Sequence, residues 1–91
     1  MADILRIVGR NDRVAGPATA ALAAAVREIQ GAKNLSTAEL ARRSTIPYGT
    51  LRKIRSGTQP IDWEELAKLG KALETSLSEL AARAEEIGTD G

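Results

Sequence analysis

Three times in 91 residues the chain places a serine or aspartate three positions before a glutamate: Ser36 with Glu39, Asp62 with Glu65, and Ser76 with Glu79. In a capping box of this kind the first side chain accepts from the amide three residues on. The glutamate reaches back to the amide of the first, so each pair marks the start of a helix. Residues suited to the left-handed conformation that closes a helix, Asn34, Gly57 and Gly88, fall where the corresponding stops are needed. Short helices separated by tight turns are therefore the only regular structure this punctuation allows from Thr37 onward.

The apolar spacing supplies the rest. Leu22, Val26 and Ile29 share one face of a helix that starts at about Ala18, with Gly31 softening its last turn and Leu35 dropping into the core. A second helix runs from Thr37 to about Ser44 with Leu40 and Ala41 inward. After a turn at Ser44, Thr45 and Ile46, a third runs from about Pro47 to Ser56, with Pro47 at its first position and Leu51 and Ile54 as its buried stripe. Leu66, Leu69 and Leu73 form the stripe of a fourth helix. Leu77, Leu80, Ala81, Ala84 and Ile87 form that of a fifth, which Gly88 ends. The expected fold is all-α, with five helices.

Residues 1–16 read as an N-terminal arm or a short added element. A strand, a helical turn and a disordered arm all fit Ile4, Leu5, Ile7 and Val8 followed by Gly9, Arg10, Asn11, Asp12 and Arg13. Residues 17–88 form the domain, and 89–91 a frayed tail. Sixteen alanines and no Phe imply a small core closed by near approach of helix backbones.

Charge divides the chain. Its 13 Lys/Arg and 12 Asp/Glu nearly cancel, yet residues 1–58 hold ten bases against four acids and residues 59–91 three against eight. Arg42, Arg43, Arg52, Lys53 and Arg55 lie within residues 42–55 with no acid among them, the signature of a surface that meets a phosphate backbone. With neither Cys nor His, disulfides, thiolate or imidazole metal ligation and Ser-His or Cys-His nucleophile pairs are excluded. No cofactor or metal is called for. The carboxylates sit mainly in caps and on solvent-facing helix positions, so no catalytic group of residues stands out and the chain is not read as an enzyme. No apolar run approaches the roughly 20 residues that span a bilayer, and the first residues do not have the order of a signal peptide. The chain is expected to be soluble and cytoplasmic.

Leu35-Ser36, Glu39-Leu40-Ala41, Thr50-Leu51, Ile54, Gly57, Pro60, Leu66, Leu69, Ala72-Leu73 and Leu77 to Leu80 together resemble the Cro/C1-type (lambda repressor-like, XRE) helix-turn-helix family over about Ala20 to Leu80. The resemblance implies a DNA-binding transcriptional regulator, most like a small prokaryotic or phage repressor, whose third helix lies in the major groove of double-stranded DNA. It places Tyr48, Gly49, Arg52 and Lys53 at base edges, and Thr37, Arg43, Thr50, Arg55, Ser56 and Thr58 at phosphates. It also implies a homodimer on a pseudo-palindromic operator. The apolar surplus at Leu77, Ala84 and Ile87 is the expected interface, and no small-molecule ligand is evident. A rival use of the same fold is a protein-interaction module, such as an antitoxin or a regulatory adaptor.

Three positions depart from the family. Thr45 stands where a turn glycine is usual, so the turn is expected to be strained or differently built. Pro47 replaces a hydroxyl residue at the head of the third helix. Gln30 and Arg55 replace an Arg–Glu ion pair, which is expected to leave Arg55 free for a phosphate. Trp63 is expected at the edge of the core or, alternatively, as an anchor between protomers.

Overall fold

The computed structural model describes the backbone of residues 16–90 and the side chains of residues 16–88; the N-terminal element with Arg6, Arg10 and Arg13 lies outside the described residues. Among the described residues five helices follow one another, with no strand: α1 (Pro17–Ala32), α2 (Thr37–Ser44), α3 (Tyr48–Ser56), α4 (Trp63–Leu73) and α5 (Leu77–Asp90). Pro17 opens α1, one residue before the start read from the sequence.

Three of the helix ends are closed alike. Asn34, Gly57 and Glu74 adopt φ of 57°, 79° and 56°. In each case the amide of that residue and the next return to carbonyls of the last turn, as in Asn34 N to Gly31 O and Leu35 N to Gln30 O, both 3.1 Å. Glu74 is the end that composition does not announce.

The caps form with one exception. Asp62 and Glu65 exchange both hydrogen bonds, at 2.7 and 3.1 Å, and Ser76 and Glu79 do so at 3.0 Å each. Hydrogen bonds from the Ser76 amide, then from the Thr75 and Ser76 hydroxyls, hold the Glu79 carboxyl below its usual range. Ser36 accepts from the Glu39 amide at 3.0 Å, but the Glu39 carboxylate does not return to it. It turns instead to Arg42 and Arg43, because two guanidiniums one turn on are stronger donors than one neutral amide.

Leu40, Leu51, Ile54, Leu69, Leu73, Leu80 and Val26 are fully buried and form the centre of the core. Around them α1 packs most extensively against α5, while α2 is seated on α3 and α4. Alanine lets the backbones close up. A Cβ added at Gly57 would lie 3.6 Å from the Ala20 Cα and 3.7 Å from the Ala23 Cβ, so the end of α3 rests almost directly on α1. At Gly70 an added Cβ would come within 3.1 Å of the Thr75 carbonyl oxygen and of Leu77, which brings α4 close to the turn before α5.

Several expectations are corrected. Pro47 is the cap of α3 rather than its first helical residue: its ψ of 142° is extended, and its carbonyl accepts from Leu51 at 2.9 Å. The helix α5 continues through Gly88 to Asp90, and Ala81 is exposed. Trp63 is 71% exposed, not at the core edge, because it stands at the first position of α4, before the Leu69 and Leu73 turns that fill the interior. Leu77, Ala84 and Ile87 lie partly buried against the core of this chain.

Thr45 does take the left-handed conformation that glycine usually supplies, with φ 62° and ψ 17°. Buried Ser44 completes the turn, its hydroxyl donating to Ala41 O at 3.4 Å and accepting from Ile46 N at 3.3 Å, so Ile46 is drawn into the core. A β-branched residue in this region carries a cost that glycine lacks. Thr45→Gly should therefore raise the unfolding free energy by about 1 kcal/mol in urea titration.

Candidate nucleic-acid interface

The helix α3 has two unlike faces. Leu51 and Ile54 point into the core, while Tyr48, Gly49, Arg52, Lys53 and Ser56, spaced alternately one and three apart, form one continuous exposed strip. Gly49, Arg52, Lys53 and Ser56 line a shallow open cleft along it. A Cβ added at Gly49 would meet nothing within 4 Å. Packing within the chain therefore does not require glycine there. Tyr48 is 51% exposed at the head of the strip.

The five cations of residues 42–55 differ in what they touch. Glu39 takes two of them, pairing with Arg42 and, at 2.9 Å, with Arg43. Hydrogen bonds from Arg42 and then Arg43 bring its carboxyl down to about 2. Arg43 lines a second cleft with Thr45, Lys68 and Lys71, apart from the α3 strip. The Arg52 guanidinium and the Lys53 ammonium have no hydrogen-bond or ion-pair partner among the described residues.

Arg55 is not free, contrary to the expectation from its missing carboxylate. Its Nε donates to the Gln30 side-chain carbonyl at 2.7 Å. Gln30 is 4% exposed, and its amide nitrogen donates to Leu35 O at 2.9 Å and to the Thr37 hydroxyl at 3.3 Å. Arg27 of α1 also donates to the Arg55 carbonyl. One buried amide thus ties α1, the turn after it, the start of α2 and the end of α3. Neither Gln30 nor Arg27 was singled out by sequence reasoning as a builder of the site. The available signal was that both members of the family ion pair had changed together, which points to a replaced contact.

Of the remaining phosphate candidates, Ser56 and Thr58 lie together at the end of α3. Their hydroxyls are 2.9 Å apart, and the Ser56 hydroxyl donates to Lys53 O at 2.9 Å. Thr50 is partly buried on the flank of α3, and Thr37 is engaged by Gln30 at the start of α2. On the far side Arg83 of α5 clamps Glu28 of α1 at 2.5 and 2.8 Å and Glu86 at 2.9 Å. Its hydrogen bond lowers the Glu28 pKa.

A short capped helix, a tight left-handed turn and a second helix with a cationic outer strip define a helix-turn-helix domain. The Cro/C1-type HTH DNA-binding domain matches residues 25–86, and the chain belongs to that family of DNA-binding domains, the kind found in transcriptional regulators. Two crystal structures of the clp gene regulator ClgR from Corynebacterium glutamicum are similar to it. One is 29% identical with a TM-score of 0.73, covering 76% of this chain and 90% of that one. The other is 28% identical with a TM-score of 0.76, covering 79% and 77%. No curated protein matches the chain. No described helix is long and apolar enough to cross a membrane.

Replacing Gln30 by Ala would leave the Leu35 carbonyl and the Arg55 guanidinium without their partner. The expected cost is about 1–3 kcal/mol in urea unfolding, with chemical-shift changes at Leu35, Thr37 and Arg55.

Proposed function

We propose that the protein is a sequence-specific regulator of transcription, a small prokaryotic or phage repressor that acts in the cytoplasm and reads the major groove of double-stranded DNA with residues 47–56. The observation that carries this reading is the exposed strip Tyr48, Gly49, Arg52 and Lys53 on a helix whose opposite face is locked into the core. Arg52 is the candidate for a bidentate contact to guanine, with Lys53 beside it on the next base or phosphate. Tyr48 offers a ring to a thymine methyl, and Gly49 lets the backbone approach. Ser56, Thr58, Thr50 and Thr37 supply hydroxyls for phosphates. Arg43 and Arg55, each held by a partner within the domain, meet phosphate through donors that Glu39 and Gln30 leave unused. The likeness to a gene regulator supports the regulatory part of the reading.

One such helix contacts only a few base pairs. A homodimer that places two of them about one helical turn apart on a pseudo-palindrome is the arrangement that gives a usable site length. The rival reading, a protein-interaction module, draws on exposed Trp63 flanked by the exposed acids Asp62 and Glu64.

Selection from random duplex, followed by titration of the recovered sequence, separates the two. Arg52→Ala with Lys53→Ala should weaken binding by roughly 5- to 150-fold for each bidentate base pairing the variant removes, with the melting temperature unchanged. Unchanged affinity in the folded double variant would remove this strip from the interface. The wild type should show a log–log salt slope of about −4 to −5 per protomer, and a slope near zero would favour the protein-partner reading.

A further inference from the structure

At the end of the molecule where α1 begins and α5 runs out, Pro17, Ala18, Ala21, Ala84 and Gly88 line an apolar groove of about 220 Å³, with Glu85 on its rim. A cavity of about 150 Å³ is enough to take up a benzene ring, so this one has room for more than one aliphatic side chain. The groove exists because the α1–α5 contact is made there by Pro, Ala and Gly. Elsewhere in the same contact Leu22, Val26, Leu80 and Ile87 fill the space.

We propose that this groove is the seat of the chain's own N-terminal segment, with Ile4, Leu5, Ile7 and Val8 as the occupants. The chain enters the described structure at Gly16, next to Pro17 and Ala18, which are themselves part of the groove wall. Residues 9–15 give a tether that extends to roughly 23 Å at 3.3 Å per residue, while the groove spans only about one turn of α1, roughly 6 Å at 1.5 Å per residue. The segment therefore reaches every part of it. Its four large aliphatic residues offer apolar surface that matches the apolar lining of the groove. A tethered segment also competes at an effective concentration in the millimolar range, which favours it over a second copy of the chain at ordinary protein concentrations.

The experiment uses the full chain. Methyl-labelled protein should show nuclear Overhauser signals from Ile4, Leu5, Ile7 and Val8 to Ala18, Ala21 and Ala84, unchanged on dilution. Leu5→Asp with Ile7→Asp should abolish them and lower the melting temperature by about 4–8 °C. Ala18→Asp tests the groove from its other side without touching the core. An acid in the first turn of a helix is favourable by itself, so a fall in melting temperature together with disappearance of the same signals would report the displaced segment. Absence of the signals in the wild type, or an unchanged melting temperature in both variants, would overturn the proposal. Signals found only between differently labelled chains, with a dimer in sedimentation, would assign the groove to a second copy and overturn it equally.

Discussion

The set of α3 against the rest of the domain depends on the amide of Gln30. Burial of Leu51 and Ile54 and the close approach of Gly57 to α1 hold α3 in place, but apolar contact is non-directional and leaves its orientation loosely specified. Gln30 supplies the direction. It must donate to a backbone carbonyl and a hydroxyl on one side and accept from a guanidinium on the other. An arginine only donates and a carboxylate only accepts, whereas a carboxamide does both. That is why a neutral residue can hold Arg55 of α3 on one side and a backbone carbonyl and a hydroxyl on the other.

The same logic of local satisfaction shapes the electrostatic surface. Glu39 gives up half of a capping box to hold Arg42 and Arg43, and Gln30 holds Arg55. Arg52 and Lys53 are what remain of the basic run, side by side on the outer strip of α3. A broad positive stretch in sequence thus becomes a narrow positive strip in space, flanked by hydroxyls at its end. The exposed Arg83 clamp on Glu28 and Glu86 joins α1 to α5, but being solvated it adds little stability compared with the apolar contact beneath it.

Alanine-rich α1 has two consequences that pull in different directions. Where a glycine meets it, as at Gly57, small side chains bring the end of α3 onto its backbone. Where alanines meet alanine and glycine near Gly88, the same small side chains leave a groove that the described residues do not fill.

Helix number, order and most boundaries were legible in the sequence because they depend on interactions within three or four residues. The caps at Asp62 and Ser76, the stops at Asn34 and Gly57, and the stripes Leu51/Ile54 and Leu69/Leu73 are all of this kind. The outer strip of α3 was legible too, since a helix with two buried positions leaves the others outward. What only the tertiary structure decided involves partners far apart in the chain or in competition. Residues 30 and 55 are joined across 25 positions, so no local pattern predicts that Arg55 is occupied. Glu39 chooses between an amide and two guanidiniums, and the stronger donors win. Trp63 is exposed because its place at the start of α4 leaves it outside the packed layer, and Leu77, Ala84 and Ile87 turn inward because α1 offers them a surface. Periodicity can say that a side chain is apolar and on a given face; whether another element lies over that face is settled only when the helices pack.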